Sequence, residues 1–339
     1  MSTANLTSVE KLQQAFSLAT EDRSEGWEDL ISNSNVFYHE LERRKRWIPA
    51  SGPTIRRRVA FAETGSYTRI AGYQFLNPVP QDQWNDAEFE WRMAFGSMTA
   101  SGEEILKNSG RNQLVDLITS KMELLEKEIV DRWTEDLHSA GALANQMGGL
   151  QQMVPTVTNS GTYGGFSRVD NAIWRTATYN ANSITIAGTA ITAVTSATIR
   201  PLLNHMIINH QRGRQGIDSF LMDGNHYQAY DAAVLPAQRI NDENRYGKQG
   251  FTSLVYFGAG KKVDIVLEGG IGTAMPSDTT YGLSWDAFEV VYHPDLKFAP
   301  IGGKQMPLNQ YAIAQHVGIM ANIIMKNPLF NAKMYDSSP

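Results

Sequence analysis

The sequence predicts an α+β protein, and three observations support this fold class. Residues 110–138 carry one long apolar repeat with helical spacing, and residues 54–97 alternate in the manner of β-strands. From residue 196 onward, short helix and strand candidates follow one another, separated by turns that contain Gly or Pro. Because 339 residues exceed what one small core covers, we expect one elaborated domain or two linked lobes.

The composition excludes several classes of protein. The chain has no cysteine, which rules out disulfides, thiolate metal sites and cysteine nucleophiles. Its formal net charge of -5 at pH 7 has the wrong sign for a protein that grips nucleic acid broadly through phosphates. No apolar run approaches the ~18 residues of a membrane span, and residues 1–12 lack the pattern of a secretory signal. We therefore expect a protein that remains in the cytoplasm of the cell that makes it.

The first 50 residues are predicted to form an arm rather than a domain. They are polar and contain few apolar residues that could build a core of their own. The basic run at 43–46 is interpreted as a solvated helix end, balanced by nearby acids, rather than as a nucleic-acid patch.

Residues 54–97 are predicted to form a long β-hairpin. In the first stretch one face is apolar and the other basic, and Arg57 breaks the alternation: Ile55, Val59 and Phe61 against Arg56 and Arg58. In the second stretch the apolar residues share one parity and the charged residues the other: Phe89, Trp91, Met93 and Phe95 against Glu88, Glu90 and Arg92. An exposed hairpin needs a neighbouring subunit to cover it. Two ordinary strands of the local sheet fit the composition equally well.

Residues 110–138 are predicted to form a single helix. Apolar residues recur there every three or four positions, the opposite side is charged, and the stretch has neither Pro nor an interior Gly. Such a helix would be roughly 40 Å long at a rise of about 1.5 Å per residue. A coiled coil is the competing interpretation, and the drift of the apolar stripe at a helical period makes it the weaker one.

The second half of the chain is predicted to be a mixed α+β lobe. Helices are expected at 196–212 and 225–235, and strands at 218–222, 253–257, 263–268 and 287–292. Residues 311–325 have apolar side chains at odd positions, which predicts one long strand that closes the sheet of the first lobe.

A search for catalytic motifs finds none that is specific. The sequence Gly-Gly-Lys at 302–304 is followed by Gln305 and so lacks the hydroxyl of a phosphate-binding loop. The glycines at 269–272 are only a fragment of a dinucleotide fingerprint, and no two histidines have the spacing that places two metal ligands on one helical face. We expect no catalytic, cofactor-binding or metal residues, and no enzymatic activity.

The order of elements resembles that of the major capsid proteins of tailed phages, a fold also used by encapsulin shells. The resemblance covers most of the chain, from the polar arm and hairpin through the long helix to the terminal strand. Local strings of one large group of these proteins strengthen it: Thr-Tyr-Gly-Gly-Phe-Ser-Arg at 162–168, Asn-Ala-Ile-Trp-Arg at 171–175, Tyr-Gln-Ala-Tyr-Asp at 227–231, Pro-Ala-Gln-Arg at 236–239 and Gly-Phe-Thr-Ser-Leu at 250–254.

The resemblance implies a division into four parts. These are an N-terminal arm (1–54), an extended loop (55–97), a peripheral domain (98–195 and 311–339) built on the helix, and an axial domain (196–310). It also implies that the hairpin lies across a neighbouring subunit, with Arg56, Arg58, Phe89, Trp91 and Arg92 as contacts. In the strings that carry the resemblance, Trp174, Arg175, Gln238 and Arg239 are expected to have structural roles.

The function implied is that of a shell subunit that assembles into pentamers and hexamers and encloses double-stranded DNA without sequence-specific binding. The partners implied are other copies of the chain, a separate scaffold protein, a portal protein and in some phages a decoration protein. A loop-borne lysine cross-link, which some members form, is excluded because no Lys occurs between Lys45 and Lys107. The protein is expected in the virion, and in the host cytoplasm during assembly, without membrane contact.

Three alternatives remain open on the sequence alone. An encapsulin-type compartment shares the fold and differs in cargo. An α+β enzyme with an unrecognised site would form a small, discrete oligomer. Another virion protein, such as a tail-tube or decoration subunit, would usually be shorter and lack so long a helix.

Overall fold

The computed structural model describes most of the chain from residue 35 onward. The predicted motif residues Gln238 and Arg239, and most of the predicted arm, lie outside the part that it describes. The described residues are 35–60, 69–73, 84–107, 111–143, 145–234, 253–258, 260–268, 274–305 and 312–336.

The described part of the chain contains helices of very different length, one of which is 27 residues long. In chain order the α-helices are α1 (Val36–Arg43), α2 (Gly102–Lys107), α3 (Arg111–Leu137), α4 (Leu150–Met153), α5 (Ile199–Asn209) and α6 (Gly224–Val234). Short 3-10 turns occur at Ala172–Trp174, Trp285–Ala287, Pro294–Leu296 and Pro328–Phe330.

The strands form two main sheets and three two-stranded ribbons. In chain order they are β1 (Trp47–Pro49), β2 (Ile55–Ala60), β3 (Trp84–Phe89), β4 (Arg92–Ser101), β5 (Thr162–Tyr163), β6 (Phe166–Ser167), β7 (Ala177–Asn180), β8 (Ile184–Ile186), β9 (Thr189–Ile191), β10 (Ser219–Met222), β11 (Ser253–Gly258), β12 (Lys261–Leu267), β13 (Thr279–Leu283), β14 (Phe288–Tyr292), β15 (Ala299–Gln305), β16 (Ala312–Met325) and β17 (Ala332–Tyr335).

A five-stranded sheet is organised around the long strand β16. Along residues 312–321, β16 pairs antiparallel with β4, and along residues 321–325 it pairs antiparallel with β14. Val317 pairs with both Gly96 of β4 and Pro300 of β15, so β4 and β15 lie on opposite edges of β16. The short strand β1 adds to β14 in parallel orientation. The predicted terminal strand is therefore present, and it lies inside the sheet.

The long helix α3 packs against this sheet. Gly96 on β4 allows a close approach, because a Cβ at that position would lie 3.2 Å from Cγ of Leu125. Nearer the end of the helix, Trp133 is buried against Tyr38 of α1, against Trp47 of β1 with nearly parallel rings, and against Phe298. The helix therefore joins the beginning of the described chain to the sheet.

A six-stranded sheet has the order β11-β12-β10-β13-β17-β7. The pairs β10–β12 and β17–β7 are parallel, and the other neighbours are antiparallel. Its central strand β10 is buried on both faces: Phe220 packs in the core with helix α5, whereas Leu221 packs in the core of the five-stranded sheet. Helix α5 supplies five buried apolar residues at helical spacing, namely Ile199, Leu202, Leu203, Met206 and Ile207.

The predicted elements are confirmed in most cases. The helix predicted at 110–138 is Arg111–Leu137, and the strand predicted at 311–325 is Ala312–Met325. The helix predicted at 196–212 is shorter, Ile199–Asn209. The strands are distributed between the two sheets differently from the two lobes that we expected. Strand β14, which was predicted, and strand β15, which was not, both lie in the range assigned to the axial domain, yet they pair in the sheet of β16. Strands β7 and β17, in the range assigned to the peripheral domain, pair in the six-stranded sheet. The division into four domains stays a prediction.

Candidate subunit interface

The hairpin of β2 and β3 carries charged pairs on its outer face. Arg56 lies opposite Glu88, and Arg58 lies opposite Asp86. The Nε–carboxylate distances are 2.9 Å and 3.6 Å, and the four side chains are between 43% and 72% exposed. Exposed pairs of this kind contribute little to stability. The outer face of the hairpin is therefore a charged, exposed surface of this chain.

The root of the hairpin is held by the turn between β5 and β6. Ala87 and Phe89 are buried there, and the Phe89 ring packs edge-on against Tyr163 with centroids 5.1 Å apart. The backbone N–H of Glu88 donates to the carbonyl of Gly164 at 3.1 Å. The ring of Phe89 is already buried within its own chain, and its contact with a neighbour stays a prediction.

The predicted contact residues that follow the hairpin also have partners in their own chain. Trp91 donates from Nε1 to the carbonyl of Gly52 at 2.8 Å, and Arg92 lies 3.0 Å from the carboxylate of Glu90. Contacts of these residues, and of the Arg56 and Arg58 pairs, with a second subunit stay a prediction.

The apolar alternation from Phe89 to Phe95 crosses a boundary between two strands. Strand β3 ends at Phe89, β4 begins at Arg92, and the two belong to different sheets. As a result Phe89 is buried, whereas Met93 and Phe95 are 49% and 57% exposed. The sequence alternation included Met93 and Phe95, but it gave no sign that the chain passes from one sheet to another after Phe89.

An ion cluster around one buried carboxylate ties the inner face of the hairpin to the five-stranded sheet. Nε of Arg57 lies 2.9 Å from the Glu289 carboxylate, and Nζ of Lys326 lies 2.6 Å from its other oxygen. The Glu289 side chain is only 6% exposed. Burial by itself would raise the pKa of Glu289, but hydrogen bonds and charge attraction from Lys326 and Arg57 lower it. The carboxylate is therefore held in its charged form.

The predicted structural motif at Trp174 and Arg175 lies inside the subunit. Trp174 is buried and donates from Nε1 to the carbonyl of Tyr163 at 2.9 Å. The guanidinium of Arg175 donates to the carbonyls of Arg168 and Val169. This passage fixes the same β5–β6 turn that receives the root of the hairpin.

The cleft between α3 and the five-stranded sheet has the volume of a small-molecule site, about 320 Å³, but lacks the chemistry of one. Its walls include Leu125, Ile129, Trp133 and Phe298, and its two charged lining residues are Glu128 and Arg132. Ser97 supplies the one side-chain hydroxyl among its lining residues, and these include no His, Asp or Lys. The cleft therefore gives no support to a catalytic function.

The buried side chain of Glu268 joins three segments of the chain. Glu268 accepts a hydrogen bond from Asn35 at 2.8 Å and lies 3.4 Å from the His138 ring, so it connects α1, the end of α3 and the end of β12. Among the described residues, no group of three or more His, Asp or Glu side chains is arranged to hold a metal ion. Within the same residues, no helix combines the length and the apolar character needed to cross a membrane.

Comparison by sequence identifies no relative of this chain. No protein-family model matches it, and no curated protein matches it.

Comparison of the fold gives clear matches to capsid structures. The capsid asymmetric unit of cyanophage A-1(L) matches with a TM-score of 0.55 at 13% identity, over 87% of this chain and 91% of that one. The capsid of an empty GTA particle matches with a TM-score of 0.53 at 9% identity, over 87% of this chain and 96% of that one. The capsid of a native GTA particle matches with a TM-score of 0.51 at 10% identity, over 88% and 91%. The chain therefore has the HK97-like fold of phage major capsid proteins.

Proposed function

We propose that this chain is the major capsid subunit of a tailed phage. Copies of it assemble into pentamers and hexamers, and these form an icosahedral shell around double-stranded DNA. The observation that carries the proposal is the fold match to the cyanophage capsid, which spans 87% of this chain and 91% of that one.

The geometry of the hairpin supports an assembly role. Its outer face bears charged side chains, and its strands β2 and β3 pair only with each other among the described residues. Unpaired strand edges expose a protein that acts alone to aggregation through edge-to-edge pairing. A neighbouring subunit that covers these edges prevents it. An interface in which the hairpin of one subunit meets a different surface of the next is heterologous. Interfaces of this kind close into rings when the rotation between subunits permits.

The charge balance suits a container for DNA. A net charge of -5 gives the chain no broad excess of cations with which to hold phosphates. A shell of such subunits encloses its DNA without gripping it along its length. In this proposal a separate scaffold protein and a portal protein direct assembly in the host cytoplasm, and a decoration protein is an additional candidate partner.

Sedimentation velocity of the purified full-length chain tests the proposal. The chain is expressed alone and together with its neighbouring genes, and we expect particles far larger than a dimer in at least one preparation. Treatment with nuclease before the DNA is extracted then tests enclosure, because only DNA inside a closed shell is protected. Monomers and dimers in every preparation would contradict the capsid proposal. Closed shells that never protect DNA, even with the neighbouring genes present, would contradict DNA enclosure and favour an encapsulin-type compartment.

A further inference from the structure

We propose that Arg57, acting through the buried carboxylate of Glu289, sets the angle at which the β2–β3 hairpin leaves the subunit body. Arg57 is thus a positioning residue for the hairpin. That this angle directs the hairpin onto a neighbouring subunit rests on the function proposed above.

The position of Arg57 explains an irregularity in the sequence. An apolar residue would fit the alternation of Ile55 and Val59, yet the chain has an arginine between them. Because alternate residues of a strand share a face, Arg57 points to the same inner side as Ile55. What it meets there is Glu289 of β14, at 2.9 Å from Nε. The irregular residue is therefore matched by a buried charge in another element.

Two contacts that hold the hairpin lie on different elements. One is the apolar contact of Phe89 with Tyr163, beside the β5–β6 turn. The other is the ion pair of Arg57 with Glu289, in the five-stranded sheet. A single contact leaves a two-stranded ribbon free to pivot about it, whereas two contacts on different elements restrict its direction. A guanidinium–carboxylate pair adds a preferred orientation to this restriction.

Two cations hold Glu289, and they belong to different parts of the subunit. Lys326 follows β16 and lies 2.6 Å from the carboxylate, so it stays in place when the hairpin moves. Arg57 is the one of the two that belongs to the hairpin. Removing the Arg57 charge therefore leaves Glu289 paired with Lys326 and releases only the hairpin. This separates a positioning role from a general contribution to stability.

The absence of cysteine makes the angle measurable. Asn85→Cys on the exposed part of β3 and Lys127→Cys on the exposed side of α3 provide two sites for spin labels in an otherwise cysteine-free chain. Pulsed electron paramagnetic resonance then gives the distance between hairpin and body. Labelled chain is diluted with unlabelled chain, so that only distances within one subunit contribute.

The decisive comparison is between Arg57→Met and Arg56→Met. Both substitutions remove one arginine from β2, but Arg56 pairs with exposed Glu88 on the outer face. We expect Arg57→Met to shift or broaden the distance distribution and to accelerate amide exchange in β3 about tenfold. Glu289→Gln should reproduce this change, and the double variant should add little to it. Arg56→Met should leave both measurements unchanged.

Two outcomes would overturn the inference. One is an unchanged distribution and unchanged exchange in Arg57→Met; the other is an equal effect of Arg56→Met, which would show that any loss of charge on β2 suffices.

Assembly is measured separately on the same variants, by sedimentation. Suppose that the parent chain forms shells and that Arg57→Met forms them with equal yield despite a displaced hairpin. The idea that the hairpin angle directs contact with a neighbour is then overturned, and the capsid function stands. If the parent chain forms no shells, the capsid function fails, while the spin-label comparison still decides whether Arg57 sets the angle.

Discussion

Buried carboxyl groups join segments that are far apart in the chain. Glu289 receives Arg57 from the hairpin and Lys326 from the end of β16. Glu268 receives Asn35 from the start of the described chain. A buried carboxylate is costly unless it is paired and hydrogen-bonded, so each of these sites depends on the correct approach of its partners.

Substitution of Glu289 by Gln tests the energetic part of this interpretation. The change removes charge-assisted hydrogen bonds to Lys326 and Arg57, so we expect the free energy of unfolding to fall by about 1–3 kcal/mol. Urea denaturation at neutral pH measures it. Glu135→Gln is the control, since Glu135 pairs with Arg132 on an exposed part of α3 and its loss should have no measurable effect. Equal stabilities of the Glu289→Gln variant and the parent would contradict the prediction.

The pH dependence of the same variant follows from the pKa of Glu289, which its cations hold below the ordinary value of 4.5. A lowered pKa in the folded state contributes stability that is present above pH 4.5 and is lost as the pH falls through the folded pKa. The stability difference between parent and Glu289→Gln should therefore shrink as the pH falls below this value. A difference that stays constant under acid conditions would show that the charge of Glu289 is not its source.

The sequence alone located Arg57 as an irregular residue but did not reveal its partner. Glu289 is 232 positions away along the chain, and local periodicity carries no information on a pairing at that distance. The same limit applies to Trp174, whose string was recognised although its hydrogen bond to the carbonyl of Tyr163 was not.

Among the elements, the β5–β6 turn determines how the hairpin is attached. Its two central residues, Gly164 and Gly165, have φ angles of +58° and +81°, which side chains of L-residues rarely adopt. The two differ in their surroundings. A Cβ on Gly164 would lie 2.7 Å from the ring of Phe89, whereas a Cβ on Gly165 would meet nothing within 4 Å.

This difference predicts unequal effects of the same substitution. Gly165→Ala should cost only the strain of a left-handed backbone, about 1–2 kcal/mol. Gly164→Ala should cost that strain and a further ~1–3 kcal/mol, because its methyl group displaces the ring of Phe89. Thermal or urea unfolding gives both values, and amide exchange in β3 should increase only for Gly164→Ala. Equal effects of the two substitutions would contradict the packing of the hairpin root on this turn.

Elements with strong periodicity were predictable, and the boundary between β3 and β4 was not. Helix α3 and strand β16 each follow one period over many residues, so their ends were predicted to within one residue. The alternation through Glu90 and Trp91 continues without interruption, although the strands on either side belong to different sheets. Two strands that meet with the same parity look like one strand in sequence.

At the scale of the whole molecule, the two sheets pack around two buried cores, while the hairpin projects a charged face. The cores on the two sides of β10 are buried within one chain, whereas Arg56 and Arg58 remain exposed. The sequence could not predict which strands share a sheet, because β14 pairs with β1 and β17 pairs with β7, and each of these partners is distant along the chain. In the proposed assembly, folding of the subunit and association of subunits therefore depend on different residues.

This separation predicts that the outer face of the hairpin can be changed without loss of fold. The double variant Arg56→Gln and Arg58→Gln should change the free energy of unfolding by less than about 0.5 kcal/mol. It should slow assembly about tenfold if these cations guide the approach of a neighbour. Light scattering follows assembly, and Lys107→Gln, which removes an equally exposed cation paired with Glu103, is the control. Assembly at the rate of the parent chain would remove these two arginines from the interface.

Electron microscopy of the purified full-length chain, expressed with and without its neighbouring genes, tests the central claim most directly. The capsid proposal predicts closed shells, or rings of five and six subunits, in at least one of these preparations. Compact monomers or dimers under every condition would contradict it and would show that a chain with this fold does not build a shell.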